Sequence, residues 1–174
     1  MEKIDNLDKK ILNIIMSNAR IPSKDVAVEC EVSRAAIHQR IQRLIDMNVI
    51  VGSGYDVDPR SLGYNTCTYI GVRLERGSMY HQVAEELVKM PEVVECHYTT
   101  GPYSMLIKVY AQDNRHLMEL LNGGLQQIPG VTETETLISL EQSFRRNIKV
   151  RIDETQGKRR RKHYTKKSAK SEVK

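Results

Sequence analysis

The chain has 174 residues, of which 40% are hydrophobic, so it is long enough for one ordinary domain or two small ones with buried cores. No apolar run approaches the ~20 residues that cross a bilayer and no signal-peptide segment is present, so we expect a cytoplasmic protein without membrane association. The three cysteines lack metal-ligand spacing and are interpreted as small buried hydrophobes. The net charge of +5 is uneven, because residues 145–174 carry 13 Lys and Arg against three acids. Only that basic end predicts a polyanionic partner by itself.

Three short helices are predicted in residues 1–52. Asp5 or Asn6 is expected to cap the first, Ser23 the second and Ser33 the third. The apolar residues on the inner faces of the first and third helices are Leu7, Ile11, Ile14, Ile15, Ile37, Ile41, Leu44 and Ile45. Because only residues 31–33 separate the second helix from the third, the chain must turn sharply there. The sequence therefore predicts a helix-turn-helix domain over residues 1–52.

The remainder predicts a linker, a second domain and a tail. Residues 53–65 are expected to form a hinge strand and linker, with a turn at 52–54 between two short extended pieces. Over residues 66–144 the periodicity changes in the order strand, helix, strand, strand, helix, strand, which is the βαββαβ arrangement of ferredoxin-like sandwiches. Ser78 is expected to cap the first of these helices, and Asp113 or Asn114 the second, which would run to Leu125. Residues 145–174 are predicted to be a basic, disordered tail. The predicted fold class is α+β.

The outer face of the third predicted helix carries basic and amide side chains, with no acid before Asp46. Such a helix fits the major groove of double-stranded DNA, where residues near its start reach base edges. The predicted base contacts are Arg34, His38 and Gln39. The predicted phosphate contacts are Ser33, Arg40 and Arg43. A solvated face on a packing unit is the alternative. Since residues 1–65 hold nine charges of each sign, we expect a single copy to bind weakly and an oligomer to be needed.

Three segments in the right order and spacing carry a family resemblance. They are LDKKILNIIMSNARIPSKDVAVECEVSRAAIHQRIQRLIDMNVIVG, PEVVECHYTTGPYSMLIKVYAQD and IPGVTETETLISLE. Over about residues 4–144 the chain resembles the Lrp/AsnC (leucine-responsive, feast/famine) transcription regulators. The resemblance implies a DNA-binding, non-enzymatic regulator whose RAM-type βαββαβ domain binds effectors. It also implies homodimers that pair through the sheet and assemble to octamers, with a small molecule, usually an amino acid, bound between dimers. No metal or other cofactor is indicated.

The resemblance also implies an effector site. The residues that match the family's effector loop are Thr99, Thr100, Gly101, Tyr103 and Ser104. Those that match the strand facing it are Thr134 and Thr136. A glycine permits close backbone approach, and backbone N–H groups can hold a carboxylate. A plain hairpin turn without a ligand is the alternative. Ser104 stands where the family usually has an acid, which removes a charge-assisted bond to an α-ammonium group, so the effector could be an amino acid or another metabolite.

Two other classes of protein stay open on the sequence. An architectural protein that binds DNA with little sequence preference would depend on its basic tail and on the number of its heads. A decarboxylase of tetrapyrrole biosynthesis shares the family's two-domain plan, but it would need no basic recognition helix. The tail itself is interpreted as a non-specific DNA tether, with a merely solubilising segment as the alternative.

Overall fold

The computed structural model describes residues 3–153, and these fall into two compact units. The first unit contains the chain up to Gly54 together with the residues from Arg146 onward. The second unit spans Tyr55–Arg145. None of the helices in the described part of the chain is long and apolar enough to cross a membrane.

The first unit is built on three helices. They are α1 (Asn6–Ser17), α2 (Ser23–Cys30) and α3 (Arg34–Asp46). Asp5 caps α1 in a reciprocal capping box with Asp8, and Ser33 caps α3. Two of the three predicted caps are therefore confirmed. The predicted cap of α2 is wrong, because Pro22 holds the N-cap position and Ser23 is the first helical residue. Pro22 has a β-region φ/ψ and gives α2 no side-chain cap.

The core of this unit lies where the three helices meet. Ile11 and Ile37 are fully buried there, and Val26 of α2 belongs to the same cluster. Burial of each such side chain stabilises the fold by about 1.5–3 kcal/mol. Ile45, predicted to face inward, is instead 42% exposed, since the buried stripe of α3 ends at Leu44. No strand occurs in the described residues before Thr66, so the extended pieces predicted around residues 52–54 do not pair into a sheet.

The second unit has the predicted order of strands and helices. Its elements are β1 (Thr66–Leu74), α4 (Tyr80–Leu87), β2 (Val93–Tyr98), β3 (Met105–Ala111), α5 (Asn114–Glu119) and β4 (Val131–Ser139). The four antiparallel strands lie in the order β2-β3-β1-β4, so the α+β fold is confirmed. Two helix boundaries differ from prediction. Ser78 lies inside a 3-10 turn that precedes α4, and α5 ends at Glu119 and continues as π and 3-10 turns through Gly123 and Gly124.

Only one face of the sheet packs against the hydrophobic core of this unit. Ile70, Val72 and Ile107 are buried on that face against Val83 and Leu87 of α4. The opposite face carries Lys108 near the centre of the sheet. This residue is only 6% exposed although it is charged. Its Nζ lies 5.7 Å from the Tyr69 ring, 5.5 Å from the Tyr110 ring and 3.3 Å from Glu95. Its charge is therefore partly desolvated by aromatic rings and balanced by a carboxylate.

The beginning of the predicted tail is ordered on the first unit. Residues 146–153 have no regular secondary structure, yet their backbone is hydrogen-bonded to Asn6 and Asn13 of α1. The sequence offers few apolar residues here, and it gave no sign that two asparagine side chains would hold the segment. The prediction of disorder for residues 154–174 lies outside the described residues.

Candidate functional site

The start of α3 is organised to project polar side chains outward. The Ser33 hydroxyl accepts a hydrogen bond from the Ala36 N–H at 3.2 Å, which satisfies one of the free donors in the first turn. That turn holds no acidic residue, so the positive end of the helix is not neutralised from within. Ser33 itself is exposed and keeps its backbone at the surface. The first turn of α3 can therefore accept an anion.

Two turns of α3 expose the three side chains that were predicted to contact bases. Arg34, His38 and Gln39 are all exposed, on the side away from the buried Ile37 and Leu44. Arg34 and His38 are one turn apart, and the Arg34 Nε lies 3.4 Å from the His38 Nε2, which accepts its hydrogen bond. The structure therefore brings Arg34 and His38 into contact, and it leaves Gln39 exposed next to His38 in the sequence.

Arg40 and Arg43 lie elsewhere, on the side of α3 that faces α1. The Arg40 Nη1 is 2.7 Å from the Asp8 carboxylate and 2.9 Å from that of Asp5, and Arg43 also pairs with Asp8. Asp8 is fully buried, whereas the Arg40 and Arg43 side chains stay 28% and 37% exposed. Both arginines thus have a structural role in joining α3 to α1. Their predicted phosphate contacts would be made by the exposed parts of the two side chains.

The same network shifts two pKa values. Partial burial alone would raise the pKa of Asp5, but the hydrogen bonds from the Asp8 N–H and from Arg40 outweigh it, and the pKa is lowered. Burial alone would lower the pKa of Arg40, but its bonds to Asp8 and Asp5 dominate and raise it. Both shifts favour the charged forms, so the pair stays ionised at neutral pH.

In the second unit, the loop between β2 and β3 closes on itself. The Thr99 N–H donates to the Ser104 carbonyl at 3.0 Å, and the Thr99 hydroxyl donates to the Tyr103 carbonyl at 2.9 Å. Thr100 and Gly101 form the exposed tip, where Gly101 has a φ of +117°, a conformation that favours glycine. The Ser104 hydroxyl accepts the Leu74 N–H at 3.2 Å. Ser104 is therefore engaged with the β1 backbone.

Tyr103 extends from this loop across the end of β1. Its ring lies over Gly71, where a Cβ atom would come within 2.5 Å of the ring. Its hydroxyl donates to Glu135 of β4, and that bond raises the Tyr103 pKa. The Arg73 guanidinium lies 5.8 Å from the ring centre and 2.8 Å from Glu133. One guanidinium, one phenol and two carboxylates thus form an exposed polar cluster that we call the loop cluster.

Thr134 and Thr136 are not part of the loop cluster. In the β1–β4 register they oppose the buried Val72 and Ile70, so their side chains lie on the helix-covered side of β4. The Thr134 hydroxyl accepts a bond from Gln126 at 3.0 Å, beside an open cavity of about 300 Å³. Within one chain, the predicted effector residues are therefore divided between the two faces of β4.

The two units together define a class of protein. A helix-turn-helix with an exposed, acid-free face on α3, joined to a separate βαββαβ domain, is the architecture of a DNA-binding transcription regulator with a ligand-binding domain. Residues 4–51 match the family model described as winged helix-turn-helix DNA-binding, and residues 67–148 match the Lrp/AsnC ligand binding domain. The chain belongs to the Lrp/AsnC family, which confirms the resemblance seen in the sequence.

Similarity to known proteins extends over most of the chain. It is 38% identical to the regulatory protein AsnC of Haemophilus influenzae over 86% of this chain and 99% of that one. The solved structure of Escherichia coli AsnC has a TM-score of 0.80 at 37% identity, covering 85% of this chain and 99% of that one. A Neisseria meningitidis transcriptional regulator, solved in complex with L-methionine, shares the fold at 20% identity, with a TM-score of 0.77 over 83% of this chain and 94% of that one. The protein is thus a transcription regulator and not an enzyme.

Sequence reasoning missed several residues that shape these sites. Asp8 was overlooked because an acid beside the apolar stripe of a helix is ordinarily solvated, and its burial here depends on Arg40 and Arg43 of a different helix. Gly71 and Arg73 of β1 were missed since their roles depend on how β1 pairs with β4. The bond between Tyr103 and Glu135 was missed as well, because it depends on the place of β1 between β3 and β4 in the sheet.

Proposed function

We propose that this regulator reads double-stranded DNA through the N-terminal half of α3. In this proposal, Arg34, His38 and Gln39 contact base edges, and Ser33, Arg40 and Arg43 contact phosphates. The observation that carries it is the exposed face of Arg34, His38 and Gln39 at an acid-free helix start. Arginine and glutamine match the hydrogen-bonding groups that guanine and adenine present in the major groove.

The test compares affinities for a selected DNA site and for a scrambled one. Fragments recovered from genomic DNA with the purified full-length protein supply the site. Arg34→Ala and His38→Ala should lose about 1–3 kcal/mol on the site and little on scrambled DNA, because base contacts carry the sequence preference. Arg115→Ala, which removes an exposed cation of the second unit, is the matched control.

The other outcome of that experiment points to a different function. If both variants lose affinity equally on the two DNAs, the side chains do not read bases. A wild-type protein with nearly equal affinity for site and scrambled DNA would instead favour the architectural class. Arg40→Ala and Arg43→Ala should weaken binding to both DNAs, and their folding must be checked because both arginines hold Asp8.

The proposal for the second unit is a small-molecule effector, an amino acid or a related metabolite, bound at the loop of Thr99, Thr100, Gly101, Tyr103 and Ser104. The loop cluster offers carboxylates for an ammonium group and the Arg73 guanidinium for a carboxylate. Glu135 can supply the negative charge that Ser104 lacks. Since Thr134 and Thr136 lie on the other side of β4, the site would join them to the loop of another copy, in agreement with binding between dimers.

Binding is tested by recording DNA affinity and thermal unfolding with each of the twenty L-amino acids. Gly101→Val should abolish the response while the domain stays folded, because a Cβ at position 101 meets no atom within 4 Å but strains the backbone at its φ of +117°. Gly52→Val, where a Cβ also meets nothing, is the control. An unchanged response in Gly101→Val would exclude the loop.

Assembly forms the last part of the proposal. We expect homodimers that pair through the open sheet face around Lys108. We also expect that four such dimers assemble into an octamer. Tyr69, Tyr110 and Leu137 provide apolar area on that face, and Leu137 is 52% exposed in the single chain. Light scattering after gel filtration measures the mass. Leu137→Asp should shift the protein toward monomer, and a monomeric wild-type protein would refute the dimer.

A further inference from the structure

Two sets of contacts, which we call the clasps, fasten the loop between β2 and β3 to the edge strand β4. In the first clasp, the Arg73 Nε donates to the Pro102 carbonyl of the loop at 3.1 Å, and the Arg73 Nη1 lies 2.8 Å from Glu133 of β4. In the second clasp, the Tyr103 hydroxyl donates to Glu135 of β4. Because β1 lies between β3 and β4, both clasps cross β1 and reach positions two residues apart on the edge strand.

Arg73 is the anchor of the loop tip. Residues 100–102 are exposed, and the bond from the Arg73 Nε is the one hydrogen bond in the described part of the chain that joins them to the sheet. The root of the loop is held differently, because the Ser104 N–H donates to the Val72 carbonyl of β1 at 2.9 Å. The tip can therefore open, with loss of the Thr99 bonds that close it, while Ser104 stays on β1.

The chemistry of arginine suits this place. Its planar guanidinium presents N–H donors in a fixed fork, so one side chain holds a carbonyl of the loop and a carboxylate of β4 at the same time. The guanidinium also lies 5.8 Å from the centre of the Tyr103 ring, a distance at which a cation and an aromatic ring attract each other. A lysine in its place would carry a compact charge on a flexible stem without this fork. Arg73 thus connects the first clasp to the second.

Gly71 provides the seat of the second clasp. The Tyr103 ring lies over Gly71, where a Cβ atom would come within 2.5 Å of the ring. Gly71 pairs with Glu135 in the β1–β4 register, so the ring crosses β1 at the position opposite its acceptor. The hydrogen bond to Glu135 raises the Tyr103 pKa, and the phenol therefore keeps the proton that it donates.

The clasps lie at the surface and are individually weak. The Arg73 and Glu133 side chains are 46% and 59% exposed, and an exposed ion pair of this kind changes an equilibrium by about fivefold at most. The loop is therefore held in one conformation by several contacts, each of which is easily broken. Loss of a single clasp should change how often the loop opens without unfolding the sheet.

We propose that Arg73 is a positioning residue for the β2–β3 loop, which it fixes against β4 together with Glu133. This inference rests on the proposed effector site, because it assigns a role within that site. It is separate from the contact of the remaining Arg73 N–H donors with a ligand carboxylate. A loop that is already closed need not be ordered by the ligand, and apparent affinity falls with the fraction of molecules in which the loop is closed.

Loop opening is measured by amide exchange in the full-length protein, without a ligand. The Thr99 N–H reports the loop, because it donates to the Ser104 carbonyl at 3.0 Å, and the Ser104 N–H on β1 is the internal reference. Arg73→Gln removes both contacts of the first clasp and should accelerate exchange at Thr99 roughly tenfold. Glu133→Gln removes only the ion pair and should accelerate it by about fivefold at most. Exchange at Ser104 should stay unchanged.

Two further variants sharpen this comparison. Arg73→Lys keeps the charge but loses the fork, so its exchange rate at Thr99 should lie between those of the wild type and Arg73→Gln. Arg115→Gln is the matched control, because it breaks an exposed ion pair with Glu119 in the same unit, and it should leave the rate at Thr99 unchanged.

The effector response separates positioning from ligand contact. Each of the twenty L-amino acids is added to the wild-type protein and to Glu133→Gln, with thermal unfolding and DNA affinity as readouts. If Glu133 helps Arg73 to position the loop, Glu133→Gln should respond more weakly than the wild type. If Glu133 only occupies a guanidinium that a ligand carboxylate needs, its removal should strengthen the response.

Unchanged exchange at Thr99 in Arg73→Gln would overturn the inference, and so would a stronger effector response in Glu133→Gln. Equal acceleration at Thr99 and Ser104 would also overturn it, because the variant would then have loosened the sheet and not the loop. If no amino acid acts on the wild-type protein, the proposed amino-acid effector fails, and the exchange rates at Thr99 still decide the role of Arg73.

Discussion

Removal of the Asp8 carboxylate should destabilise the first unit more than any other single truncation of a polar side chain there. Asp8 is fully buried and accepts bonds from Arg40, Arg43 and the Asp5 N–H. Loss of one partner from a buried ion pair costs about 3–5 kcal/mol, because a charge is left without compensation. Here both guanidinium groups keep some exposure, so the low end, about 3 kcal/mol, applies. Loss of half the capping box adds about 1 kcal/mol.

The expected total for Asp8→Ala is therefore about 4 kcal/mol. Asp8→Asn keeps an acceptor for the cap but loses the charge, so about half of that loss is expected. Amide exchange at Ile11 and Ile37 measures the opening free energy of this unit in the full-length protein, without assuming that both units unfold together. Asp46→Ala is the control, since its bond to Gln42 is exposed, and it should change the value by less than about 0.5 kcal/mol. A loss below about 1 kcal/mol in Asp8→Ala would show that solvent replaces the buried pairs.

Three further predictions concern the ion pairs and the sheet. Gly71→Ala should displace the Tyr103 ring, lower the free energy of unfolding by about 1–3 kcal/mol and weaken the effector response, as thermal unfolding with and without amino acids would show. The bonds from the Asp8 N–H and from Arg40 lower the Asp5 pKa in the folded state. They therefore stabilise the fold above the unfolded pKa of about 3.9, and this stabilisation is lost as pH falls through the folded value. Asp5→Asn should flatten the acid limb of a pH–stability curve. Lys108→Met should leave the melting temperature unchanged or raise it, since replacing a buried charge by a hydrophobic side chain of similar length removes a desolvation cost; a fall of several degrees would contradict this.

The order of elements was predictable because periodicity reports burial directly. The alternation of β1 and β3 and the stripe through Ile37 and Leu44 depend only on which side of each element meets a core. Ser33 and Asp113 were recognisable as caps because they lie just before an apolar run. Local signals of this kind need no knowledge of the partner element.

The contacts that the sequence did not reveal are not local, since each depends on a partner that is distant in the chain. Asn6 and Asn13 are ordinary helix residues until Val150 and Asp153 arrive from the far end of the chain. Tyr103 reaches Glu135 only because β1 lies between β3 and β4 in the sheet. Periodicity carries no information about such pairings.

The absence of acids on α3 has a second explanation besides a polyanionic partner. Arg40 and Arg43 are balanced by Asp5 and Asp8 of α1, so their charges are compensated across the helix interface and not along α3. Among the described residues, Arg34 is then the α3 arginine without a carboxylate partner. One such cation gives a single helix little of the salt-dependent affinity that phosphate contacts supply. We therefore expect that most of the affinity comes from further copies of the unit in an oligomer.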